Sequence, residues 1–105
     1  WLRGHPSRIE WVKDLIPYSQ SPDDPWVQGF DRAFREATGQ EPTYDVMTAW
    51  SDAAHPAALF GMPTVLYGPG VGGTAHSSHE YVTVENLVTC TQVVATFLEQ
   101  TLAAT

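Results

Sequence analysis

The chain has 105 residues, 43% hydrophobic and 16% charged, which describes a folding chain with one modest core rather than a disordered one. A net charge of −7, with five scattered basic residues, offers no basic stripe to neutralise phosphates; this excludes nucleic acid as a partner and disfavours an anionic membrane surface. Cys90 is the single cysteine, so no internal disulfide forms, which fits a reducing, cytoplasmic compartment weakly, and no apolar run reaches transmembrane length.

The chain opens on Trp1 rather than Met, which suggests a piece of a longer polypeptide. Residues 5 to 12, HPSRIEWV, carry a short alternating pattern and read as a strand or strand end. IPYSQSPDDP follows with three prolines in ten residues, a connection and a candidate domain boundary. Residues 24 to 38 read as a helix. Asp24 can cap it, Pro25 suits its first position, and Trp26, Val27, Phe30, Ala33, Phe34 and Ala37 form one stripe. Gly39 ends it in a left-handed cap. Gly29 weakens it by about 1 kcal/mol relative to Ala and leaves room for close approach.

TYDVMT, residues 43 to 48, reads as a strand. In SDAAHPAALFG a short helix starts at His55 or Pro56, which leaves Ser51 and Asp52 in the loop before it. MPTVLYG is a near-continuous apolar run closing on glycine, the look of a strand buried on both faces. EYVTV is a further short strand, and the last helix starts near Thr83. Leu87, Val88, Thr91, Val94, Ala95, Leu98 and Leu102 are expected to be its buried stripe. Alternating helices and strands predict an α/β layered fold, in which ligands gather where strands run into loops.

Chemistry concentrates in YGPGVGGTAHSSHE, residues 67 to 80. His76 and His79 stand three apart, followed by Glu80, but HSSHE is neither H-E-x-x-H nor its inversion, and the glycines before it argue against the helix those motifs need. By spacing alone, polar loop histidines outweigh a metal pair. GPGVGG is neither a phosphate-binding P-loop nor a dinucleotide fingerprint, although its backbone amides are open to a small anion. Ser77 and Ser78 lack the elbow of a serine nucleophile. Ser51-Asp52 reads as a turn or helix start unless partners join it. Cys90 reads as a small core residue, and Tyr67 is undecided between core and cavity.

The run SDAAHPAALFGMPTVLYGPGVGGTAHSSHEYVTVENL closely resembles the C-terminal end of the M20 metallopeptidases, a family that includes acetylornithine deacetylases, desuccinylases, aminoacylases and carboxypeptidases. The elements are Ser-Asp, a short helix, Gly-x-Pro, an apolar strand, Gly-Pro-Gly, Ala-His, a Glu four residues past the His, and a final helix. They stand in the family's order. Residues 24 to 105 match well, and residues 1 to 17 resemble less specifically the last strand of the family's lid domain and its return crossing.

The resemblance implies the C-terminal part of a three-layer α/β/α zinc-peptidase-like catalytic domain over residues 18 to 105, with residues 1 to 17 as a lid remnant. It implies that His76 is a zinc ligand of a di-metal centre and that Gly68, Pro69 and Gly70 line the substrate cleft with Asp52 beside it. Glu80 becomes a supporting acid behind the metal ligand, and His79 has no role. Two zinc ions, with cobalt or manganese as alternatives, would activate water near neutral pH and polarise an amide carbonyl. The implied reaction is hydrolysis of an N-acyl amino acid or short peptide, with a carboxypeptidase or dipeptidase as the alternative. The remaining metal ligands, the general base and most of the lid, through which a homodimer would form, belong to an N-terminal half not in this sequence, so the 105 residues alone are expected to be inactive. Desuccinylases carry Gly-Thr before Ser-Asp; here Ala49-Trp50 stand there, which argues against that substrate. The rival from another class is a stand-alone, non-catalytic α/β module that holds a small anion in the glycine loop.

Overall fold

The computed structural model describes residues 2–5, 7–12 and 14–103. After a single 3-10 turn at Leu2–Gly4 come α1 (Pro25–Thr38), α2 (Ala54–Phe60) and α3 (Val84–Ala103). Local chemistry explains these boundaries. The Asp24 carboxylate accepts from the Trp26 N–H at 2.8 Å, and Pro25 enters α1 where no intrahelical donor is needed. Gly39, at φ 68°, donates its N–H to the Arg35 carbonyl and stops the helix in the left-handed region. Gly61 closes α2 in the same way. Thr83 caps α3, its Oγ1 accepting from the Asn86 N–H at 3.0 Å.

The core is the seam between α1 and α3. Phe97 meets Trp26 edge-to-face at 4.9 Å between centroids and Phe30 at 5.3 Å. Tyr67, from the loop before α3, stands against Phe30 at 5.2 Å and Phe34 at 6.1 Å. Val27, Ala33 and Val93 are buried beside them. At the seam's edge Gln100 donates to the Glu36 carboxylate at 2.7 Å. The stripe expected of α1 is the face it uses, apart from Trp26, which stays partly exposed.

The expected α/β/α layering is corrected. Among the described residues the chain is helical and no strand forms; the one isolated bridge pairs Gly70 with Val82, antiparallel. The segments expected as strands are extended or irregular, and side chains occupy some of the backbone groups a ladder would use. The Thr64 N–H donates to the Gln20 side chain at 3.0 Å, and the Val46 N–H donates to the neighbouring Asp45 carboxylate at 2.7 Å. The Tyr44 hydroxyl donates a hydrogen bond to the buried Asp31 carboxylate of α1, which straps 43–46 to a helix. A strand pattern is a statement about one segment, whereas a strand requires a second segment in register. Ile9, Trp11 and Val12 stand exposed in the first expected strand.

The stripe expected of α3 is corrected too. Leu87, Val88, Val94, Leu98 and Leu102 are exposed, and the face against α1 runs through Val93 and Phe97. The helix is turned so that one large aromatic, rather than a row of leucines, enters the seam. The molecule is accordingly drawn out, with a radius of gyration of 18.9 Å against about 13 Å for a compact chain of this length.

A Cβ on Gly29 would lie 3.5 Å from the Phe97 ring, an ordinary contact. Gly29→Ala should therefore gain helix propensity at little steric cost, raising stability by about 0.5–1 kcal/mol. Urea denaturation compared with wild type measures this; a destabilised variant would show that the seam has no slack there.

Candidate functional site

The loop from Gly70 to Val82 is built of three successive turns. The Thr74 N–H donates to Val71 O, the Ser77 N–H to Thr74 O, and the Glu80 N–H to Ser77 O, at 3.2–3.3 Å. Positive φ falls at the third residue of the first two turns, Gly73 at 78° and His76 at 60°. Gly73 takes this conformation freely, whereas His76 pays for its Cβ there. Two hydroxyls reinforce the turns: Thr74 donates to Val71 O and Ser77 to Thr74 O, both at 2.7 Å. Ser77 Oγ also accepts from the His79 N–H, so this serine serves the turn.

His76 and Glu80 are brought together. The His76 N–H donates to the Glu80 carboxylate at 3.2 Å. The carboxylate thus closes the loop across four residues and helps hold His76 in its left-handed conformation. The imidazole is left exposed, as is that of His79. Among the described residues no three His, Cys, Asp or Glu side chains gather around a point that could hold a metal ion. One imidazole is a good zinc donor but supplies one ligand where four are usual, so these residues do not make a metal site by themselves.

Gly68 and Pro69 line an open cavity of about 230 Å³ together with Tyr67, Gln40, Glu85, Asn86 and Thr89. Gly70 lies just beyond it in the bridge to Val82. Asp52 belongs to a different segment, the one that leads into α2. It is exposed in the turn before α2, where its carbonyl accepts from the His55 N–H at 3.0 Å. Asp52, His76 and Glu80 do not line the Gly68–Pro69 cavity. The sequence reading missed Asn86, whose side-chain amide donates to the Pro69 carbonyl at 3.2 Å; its place three residues after the Thr83 cap was the available signal. Tyr67 is both a wall of this cavity and part of the aromatic seam. Burial, and secondarily Cys90, raises its pKa above the ordinary tyrosine value.

Comparison with known proteins gives this loop its context. The model of peptidase family M20/M25/M40 matches residues 6–100, and the chain belongs to that family of hydrolases. It is 30% identical over 109 residues to the N-formyl-4-amino-5-aminomethyl-2-methylpyrimidine deformylase of Bacillus subtilis (strain 168), covering 93% of this chain and 25% of that protein. It is 29% identical over 107 residues to the protein of the same name from Halalkalibacterium halodurans, with the same coverage. The chain thus spans about a quarter of the length of these curated relatives. No solved structure matches it significantly. Among the described residues no helix is long and apolar enough to cross a membrane.

Two predictions follow from the loop and its neighbour. Because residue 76 sits at positive φ, His76→Gly should be more stable than His76→Ala by about 1 kcal/mol; paired thermal melts decide it, and equal stabilities would remove the strain argument. Tyr67 titrates higher folded than unfolded, so its contribution is fully present below the unfolded value near 10 and is lost as pH rises through the higher folded value. Melting temperatures taken across that window should fall more steeply for wild type than for Tyr67→Phe.

Proposed function

We propose that this chain is the part of an amide hydrolase that carries the last metal ligand and one wall of the substrate cleft. In this reading His76 binds zinc, Glu80 supports it from behind, Gly68, Pro69 and Gly70 face the substrate, and Asp52 stands beside the cleft. Residues 18 to 105 belong to the catalytic domain and residues 1 to 17 to the end of a lid. Tyr18 supports that boundary: among residues whose side chains are described, it is the first that is not exposed. The other zinc ligands, the general base and a dimer-forming lid would come from further sequence of the same enzyme. A reducing, cytoplasmic setting suits the single cysteine.

The observation that carries this reading is the conformation of His76. Three turns and the Glu80 carboxylate hold a histidine in a backbone region that costs it energy, while its imidazole remains free to solvent. Strain of this kind is retained where surrounding structure over-determines it, commonly at functional sites. Family membership supplies the reaction class, and the two deformylase relatives favour an N-acyl amide, with a small acyl group such as formyl, as the bond cleaved. Zinc would supply Lewis acidity and activated water. The chain's own contribution is to present an imidazole, keep the cleft wall narrow with glycines, and offer backbone amides to a substrate oxygen.

The test uses the native polypeptide from its source cells. His76→Ala should lower bound zinc, measured by elemental mass spectrometry, and reduce hydrolysis of N-formyl and N-acetyl amides by about a hundredfold or more. Unchanged zinc content and unchanged turnover would remove His76 from the site.

A further inference from the structure

The three turns between Val71 and Glu80 stiffen the loop internally, but local turns do not orient a loop relative to the rest of the molecule. Orientation is decided at its base, and two contacts meet there. One is the bridge between Gly70 and Val82. The other is the hydrogen bond from Asn86 to the carbonyl of Pro69, which spans 17 residues.

Asn86 stands at the third position of α3, its own N–H held by the Thr83 cap. A capping box places Glu or Gln here and turns the side chain back to the N–H of the cap residue. Asn86 instead points its amide away from the helix and into the Gly-Pro-Gly corner. The Pro69 carbonyl can only accept, so an amide holds it and a carboxylate cannot. We propose that Asn86 is a positioning residue: it fixes the Gly-Pro-Gly corner to the first turn of α3, and thereby sets where the loop presents His76. The functional half of this statement rests on the reading of His76 as a metal ligand.

Asn86→Asp separates this role from helix stability. It keeps the side chain's size, removes the donor, and places a negative charge in the first turn, where the helix dipole favours it. Hydrogen exchange measured by mass spectrometry should show amides of residues 70–82 exchanging about fivefold faster, the effect of one lost neutral hydrogen bond, with residues 88–103 unchanged. Asn86→Gln, which retains a donor, should recover most of the protection. Wild-type exchange in the loop of Asn86→Asp would overturn the proposal, as would equal loosening of loop and helix. The His76→Ala zinc measurement decides the metal reading independently: its failure would end the functional half while the exchange data still judge the clamp.

Discussion

The structure depends on one aromatic side chain reaching across from α3 to α1. Phe97 lies edge-to-face against both Trp26 and Phe30, and Tyr67 extends the same cluster. Each such pair contributes about 0.5–1.5 kcal/mol beyond the area it buries. Among the described residues Val93 is the largest side chain fully removed from water, and the aromatics of the cluster keep part of their surface exposed. With α1 and α3 held together, the loop that precedes α3 is held as well, because Tyr67 belongs to the seam and residues 68–70 follow it directly. The candidate site is therefore suspended from the core by a single tyrosine and by the first turn of α3.

Outside the seam, polar straps do the work that a sheet would otherwise do. Asp31 receives the Tyr44 hydroxyl, Gln20 receives the Thr64 N–H, and Gln28 donates to the Pro22 carbonyl. The first and last of these bonds tie neighbouring segments to α1, and the second ties two non-helical segments to each other. They act singly, without the cooperativity of a ladder. Large apolar side chains such as Trp11, Val46 and Phe60 consequently remain in water, and the outline is elongated rather than compact.

The chemistry of the loop is easiest to read as a division of labour between backbone and side chains. Gly73 provides the first reversal at no steric cost, and the hydroxyls of Thr74 and Ser77 add a second hydrogen bond to carbonyls that already close the turns. Glu80 accepts the N–H of the strained residue, and Asn86 pins the far end. His76 is left with its imidazole uncommitted.

By itself the sequence determined what local rules govern. Asp24-Pro25 and Gly39 bounded α1 correctly, Thr83 marked the start of α3, and the order of motifs from Ser51 to Glu80 identified the family. These features depend on neighbours a few residues away. The alternating and apolar runs at 5–12, 43–48, 62–68 and 80–84 were read as strands, but a ladder needs a partner in register, and among the described residues the pairing is limited to one bridge, between Val82 and Gly70. The buried face of α3 was likewise misread: summed hydrophobicity favoured the row of Leu87, Leu98 and Leu102, while packing chose the face whose Phe97 fits against Trp26 and Phe30. Tertiary structure alone decided that His76 occupies positive φ, that Asp52 is not among the residues lining the cavity at Gly68 and Pro69, and that Asn86 reaches Pro69. Each of these is a relation between segments distant in sequence or a backbone angle imposed by successive turns, which residue type and spacing do not specify.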